Sequence, residues 1–158
     1  MIVRLQPARP EDAIRLTEMQ ARAFMPIVQK RGGFETSPAA ESPDQMLERI
    51  TDKKSRSFII MADDMYAGMI RIKQLGAGAY KISPIFVLPE FQNMGIGKKA
   101  ISLAEEMFPS ACLWTLFCVR EDEKNVYFYE KLGFQKTGCE RKLTENITLI
   151  GYERRKKV

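Results

Sequence analysis

At 158 residues, 45% hydrophobic and 28% charged, the chain fits one domain (1–158) with room for a real core. It has no histidine, no apolar run long enough to span a membrane and no secretory apolar region in Met1-Ile2-Val3-Arg4-Leu5. These absences argue against Ser-His or Cys-His nucleophiles, the usual zinc sites, any metal requirement, a membrane partner and export. Much of the excess in the net charge of +5 sits in Arg154-Arg155-Lys156-Lys157, read as a solvated, frayed end; no nucleic-acid motif accompanies it, so no nucleic-acid partner is expected.

In chain order, Ile2 to Leu5 reads as a strand. Pro10 opens a helix with Glu11 and Asp12 in its first turn and an apolar stripe of Ala13, Leu16, Met19, Ala23 and Phe24, ending near Pro26. Lys30 to Ala40 is a loop by composition. Ser42-Pro43-Asp44-Gln45 forms a capping box ahead of a helix whose inner face is Met46, Leu47 and Ile50. Ser57–Ala62 and Met65–Gln74 make a hairpin about Asp63-Asp64. The apolar run Ile82–Leu88 has the composition of a strand covered on both faces. Pro84 inside it predicts a bulge, and Pro89 ends it. A helix follows from Gly95, with Ile96, Ala100, Leu103, Ala104 and Met107 on one side and Pro109 as its stop.

Ala111–Val119 is a covered strand parallel to Ile82–Leu88. Cys112 and Cys118 fall inside it and Cys139 is left over, which suggests reduced thiols and a cytoplasmic protein. Arg120–Lys124 is a polar loop, Asn125–Leu132 a short helix closed by Gly133, and Phe134–Arg141 with Ile147–Arg154 a final hairpin. The expected fold is α/β: a mixed, mostly antiparallel sheet with a central parallel pair and flanking helices.

The glycines at the start of the third helix point to a ligand. A helix start has unpaired N–H groups and the positive end of the dipole, and glycine lets an anion approach the backbone. A P-loop would need Ser or Thr after Gly97-Lys98, where Lys99 stands. A dinucleotide fingerprint would want the strand to enter the glycines directly and an acidic residue about 20 positions on. Instead Pro89–Met94 intervene, and the residues around Phe117 are apolar. Gln92-Asn93-Met94-Gly95-Ile96-Gly97, preceded by Val87-x-Pro89-Glu90, resembles the Q/R-x-x-G-x-G/A motif of the GNAT N-acetyltransferase family. The resemblance implies the GNAT (acyl-CoA N-acyltransferase) fold with a splayed parallel pair. It also implies that Gln92, Asn93, Met94, Gly95, Ile96 and Gly97, with Lys98 and Lys99 nearby, hold the acetyl-CoA pyrophosphate.

Tyr129-Glu130-Lys131-Leu132-Gly133-Phe134 is similar to the family's Y-x-K-x-G-F. The resemblance implies that Tyr129 protonates the departing thiolate, work that suits a phenol neutral at pH 7; otherwise Tyr129 is a core aromatic. It also implies that backbone around Phe86, Val87 and Leu88 pairs with the pantetheine arm, and that an N–H freed by the bulge steadies the oxyanion. Where the family often has Asn seven residues, and Ala four residues, before the tyrosine, this chain has Asp122 and Asn125; Asn125 is the candidate to contact CoA instead. The implied reaction moves acetyl directly to a primary amine of a small molecule or peptide. The alternative is a CoA-binding sensor without turnover, and a weaker one is another nucleotide on the same loop. The base stays open among Glu90, Glu35, Glu41 and a bridging water. The acceptor is expected between Met25–Ser42 and the final hairpin, and edge strands near the C-terminus could support a homodimer.

Overall fold

Alternating apolar side chains along the strands produce one seven-stranded sheet with two differently furnished faces. The computed structural model, which describes residues 1–156, has strands β1 (Val3–Pro7), β2 (Ser55–Ala62), β3 (Met65–Gly76), β4 (Ala79–Val87), β5 (Leu113–Val119), β6 (Gln135–Thr144) and β7 (Ile147–Arg155). Their spatial order is β1-β2-β3-β4-β5-β7-β6. Every neighbouring pair is antiparallel except β4–β5. Four α-helices flank the sheet: α1 (Ala13–Arg31), α2 (Pro43–Thr51), α3 (Ile96–Met107) and α4 (Glu123–Lys131).

The period of two sorts each strand between two cores. Phe58, Ile60, Ile70, Ile72, Tyr80, Ile82, Trp114, Leu116, Ile150 and Tyr152 pack with Ile96, Ala100, Ile101 and Ala104 of α3 and Tyr129 of α4. On the opposite face Ile59, Met61, Met69, Phe86 and Leu88 pack with Ala13, Leu16 and Met19 of α1 and Met46 of α2. Each fully buried large aliphatic side chain contributes about 1.5–3 kcal/mol.

The bulge expected at Pro84 is present. Ile70 pairs with Ile85 and Ile72 with Ile82, so Arg71 alone stands opposite Ser83 and Pro84. The parallel pair holds for only three residues, Ala79–Lys81 against Leu113–Thr115, after which β4 and β5 pair no further. This opening is the splay that the family resemblance led us to expect.

Several local expectations are corrected. Helix α1 runs through Pro26 to Arg31 and stops at Gly32. A proline removes one N–H and crowds one earlier carbonyl, and a helix docked on the sheet tolerates that local loss. The segment after it is therefore a shorter connector carrying two single turns, Phe34–Thr36 and Pro38–Ala40. Cys112 lies outside β5 and is exposed, whereas Cys118 is buried within it. Helix α4 starts before Asn125, because Asp122 caps it. Arg154 and Arg155 belong to β7 rather than a frayed tail, and Lys156 N donates to Cys112 O (2.9 Å). Lys157 lies outside the described residues.

Candidate active site

The loop from β4 to α3 is built by its own side chains and dihedrals. Gln92 Nε2 donates back to Val87 O (3.0 Å), which folds the loop over the end of β4. Asn93 (φ 64°) and Gly95 (φ 76°) both take the left-handed conformation, and Gly95 is the N-cap of α3. Glycine at a cap offers no side-chain acceptor. The first intrahelical bond joins Lys99 N to Gly95 O (3.1 Å), so the N–H groups of Ile96, Gly97 and Lys98 lie ahead of the helical ladder. Met94, Lys98 and Lys99 are exposed around them, and Ile96 anchors the turn in the core. A Cβ on Gly97 would lie 3.2 Å from the Phe128 ring, so α3 and α4 meet closely there. The arrangement suits an extended anion such as a pyrophosphate.

Beyond Lys81 the edge of β4 that faces β5 has no strand partner. Leu88 N donates to Ala67 O on the β3 side (2.8 Å), so strand alternation turns the N–H and C=O of Val87 toward the splay. Phe86 and Leu88 are buried against α1, while Val87 is half-buried toward α3. An extended amide-bearing chain laid in the splay would meet the Val87 N–H, whose carbonyl already accepts from Gln92 Nε2.

Tyr129 is placed by the end of its own helix. Phe134 N donates to Tyr129 O (3.1 Å) and Gly133 N to Glu130 O (3.0 Å), with Gly133 at φ 93°. This is a Schellman cap, and the Tyr129–Phe134 ring contact (centroids 5.9 Å apart) is its usual hydrophobic clasp. The Y-x-K-x-G-F string is thus a helix terminator that fixes the tyrosine three residues from the end. Tyr129 is 6% exposed and also touches Phe128 and Tyr152. Burial, then the nearby Cys118 and Asp122, pushes its phenol well above the ordinary range, keeping it protonated at neutral pH. Burial likewise pushes the Cys118 thiol up to about 12.

Asn125 sits in the first turn of α4. Its backbone N donates to Asp122 Oδ1 (3.3 Å) and its Nδ2 to Asp122 Oδ2 (3.0 Å), so the cap orients the amide. The three carboxylates left open as bases differ in setting. Glu90 is paired with Arg22, whose hydrogen bond holds its carboxyl below the usual range. Glu41 is paired with Arg49, and Glu35 is exposed on the connector.

The sequence reading missed Arg71. It is 9% exposed and answers the bulge: Nη1 donates to Ser83 O, Nε to Ser55 Oγ and Nη2 to Asp52 Oδ2, each at 3.1 Å. An arginine inside Met69-Ile70-Arg71-Ile72 was the available signal. A cavity of about 440 Å³ opens beside it, lined also by Glu48, Arg49, Thr51 and Asp52. On the same face the α1–α2 connector reaches the final hairpin: a Cβ on Gly33 would meet Ile147 Cδ1 at 2.9 Å and Thr144 Cγ2 at 3.3 Å. No helix among the described residues is long and apolar enough to cross a membrane.

Comparison with known proteins identifies the family and the fold. A family profile described as "Acetyltransferase (GNAT) domain" matches residues 26–156. Spermidine N(1)-acetyltransferase of Escherichia coli (strain K12) is 28% identical over 142 residues, covering 86% of this chain and 74% of the relative. The PaiA N-acetyltransferase of Thermoplasma acidophilum, solved with coenzyme A, superposes with TM-score 0.81 at 17% identity over 99% of this chain and 100% of its own. Spermidine N-acetyltransferase of Vibrio cholerae, solved with CoA and spermine, gives 0.75 at 17% identity, covering 97% and 95%. With most of its length matched by the family profile, the chain belongs to the GNAT family and is an acetyl-CoA-dependent acetyltransferase.

Proposed function

We propose that the protein transfers the acetyl group directly to a primary amine of a small molecule or peptide, with no acylated side chain on the way. The observation that supports this reading is the splay itself, with the glycine-capped start of α3 following the end of β4. The E. coli relative, by its name, acts on a small amine, which supports that acceptor class.

Acetyl-CoA supplies an acyl group activated as a thioester. In this proposal the N–H groups of Ile96, Gly97 and Lys98 bind its pyrophosphate, with the Gln92–Gly95 turn shaping the cradle and Lys98 and Lys99 adding charge. The free edge of β4 at Phe86–Leu88 aligns the pantetheine arm, and Val87 N–H is the donor aimed at the developing oxyanion. Asn125 contacts the same arm from α4. Tyr129 Oη holds the proton given to the departing sulfur. Holding amine and thioester in line is the main catalytic term. The acceptor enters on the α1–α2 side, between the connector and the β6–β7 hairpin, and β6, exposed at the sheet edge, is where a second copy would pair.

The test is a thermal-shift titration with acetyl-CoA, followed by release of free thiol with a panel of amines. Stabilisation with thiol release is expected. Stabilisation without release across the panel would favour a CoA-binding module, and no stabilisation would sink the assignment of the Gln92–Gly97 cradle.

A further inference from the structure

The polar half of the acceptor-side face carries more positive charge than its carboxylates answer. Alternation places Arg71, Lys73, Lys81 and Phe117 on this face, since Ile70, Ile72, Tyr80, Ile82, Leu116 and Cys118 all belong to the opposite core. Lys73 and Lys81 are direct register partners on β3 and β4. Lys81 also closes the three-residue parallel pair opposite Thr115, so it stands where the splay begins. Its ammonium lies 5.1 Å from the centroid of the Phe117 ring, and Phe117 is 41% exposed just beyond that point on β5. Arg141 of β6 pairs with Leu149, which pairs with Val119 two residues past Phe117, so Arg141 shares this face.

Of the nearby carboxylates only Asp52, from beside Arg71, lies close enough to Lys73 to feel its charge, and none acts on Lys81. Asp52 pairs with Arg71, Glu41 with Arg49 and Glu153 with Arg155, while Glu35 and Glu48 are exposed. Among the described residues Lys73, Lys81 and Arg141 form no ion pair. Half-burying an ammonium with no counter-charge is unfavourable. Burial, then Lys73, Arg71 and Arg141, lowers the affinity of Lys81 for its proton, and no carboxylate offsets them. A positively charged floor at the mouth of a substrate cleft attracts an anion and repels a second cation.

From this juxtaposition we infer that the acceptor is an amine that also carries an anionic group, a carboxylate or a phosphate, which seats against Lys81 and Lys73 while the amine enters the splay. The inference rests on the transferase reading above and narrows its substrate class. It sets this chain apart from an enzyme for polycationic amines: a polyamine would bring further positive charge to cations that already lack partners.

The experiment uses length-matched probes on the full chain: 4-aminobutanoate against 1,4-diaminobutane, and O-phosphoethanolamine against 1,2-diaminoethane. Acetyl-CoA-dependent thiol release is measured for each in the wild type and in Lys81→Glu, with Lys73→Glu as a second variant should the first fold poorly. The wild type is expected to prefer the anionic member of each pair by about tenfold in kcat/KM, and charge reversal to erase or invert that ratio. A structural role for Lys81 as a cover for Phe117 would lower Tm and leave the ratio unmoved, which would overturn the inference. So would a wild-type preference for the diamines, or loss of acetyl-CoA affinity in Lys81→Glu, which would assign these cations to the cofactor. If no probe releases thiol, the transferase reading is what suffers, and the charge inference is decided by binding alone. An anionic probe that raises the Tm of the CoA-loaded wild type but not of Lys81→Glu sustains it; no difference between the probes defeats it.

Discussion

The two sides of the splay are made from different materials. On the α3–α4 side the groups proposed to bind and react belong largely to the backbone: N–H groups ahead of a glycine-capped helix, the β4 edge beyond its pairing with β5, and a tyrosine fixed by a Schellman cap. On the α1–α2 side they are side chains contributed by distant strands: Arg71, Lys73, Lys81, Phe117 and Arg141. The difference teaches how one fold serves many acceptors. Backbone geometry suits a ligand that never changes, while side chains on fixed strands can be exchanged without moving the frame.

Tyr129→Phe gives the largest effect expected of this contrast. Thiol release should fall about 100-fold or more, with the acetyl-CoA thermal shift kept, because only the phenolic hydroxyl is removed and the ring stays. Unchanged rates would return Tyr129 to the core as a packing aromatic. Next in size is Arg71→Met on the other side. Removing the guanidinium leaves the Ser83 carbonyl and the Ser55 hydroxyl without their donor and should cost roughly 1–3 kcal/mol of stability by chemical denaturation. The increment added by acetyl-CoA should survive, and its loss would show that the two sides are coupled through the bulge. Gly95→Ala forces an L-residue to φ 76°, at a cost of about 1–2 kcal/mol. It should also weaken the acetyl-CoA shift, whereas full retention would mean that the cradle tolerates a changed backbone.

The smallest effect is on pH. Cys118, Tyr129 and Tyr152 all have folded-state values above their unfolded ones, through burial and, for Tyr152, the hydroxyl it donates to Glu130 Oε2 (2.7 Å). Their contribution is complete below the unfolded values and fades as pH rises through the folded ones. Stability should therefore be level from pH 7 to 8 and fall by on the order of 1 kcal/mol by pH 10. A melting temperature that rose over that interval would contradict the burial of this cluster on the α4 side.

The same contrast explains what could be read from the chain beforehand. The stretch Gln92–Gly97 and the string Tyr129–Phe134 are contiguous, and their glycines stand where positive φ or close approach requires them, so a local pattern carried both. Pro84 announced the bulge for the same reason. Arg71 showed only as a charge inside an apolar run, and its task stayed hidden because the carbonyl it satisfies lies 12 residues away on the neighbouring strand. Lys81 and Arg141 come to one face only through the register of β4, β5, β7 and β6, which no short window encodes. The run of α1 past Pro26 was hidden differently. A proline is a strong local signal, and here the docking of the whole helix outweighed it until Gly32.

The brevity of the β4–β5 pairing reaches beyond catalysis. Three residue pairs join a unit made of β1 to β4 to one made of β5, β7 and β6, whereas β5 and β7 share seven. Amide protons along this seam have the fewest ladder bonds to break before they meet solvent, so exchange should begin there, ahead of global unfolding. A cofactor bound across the gap, touching both units, acts as a splint. Its occupancy would slow exchange in strands that it never contacts and make the two halves of the sheet open as one.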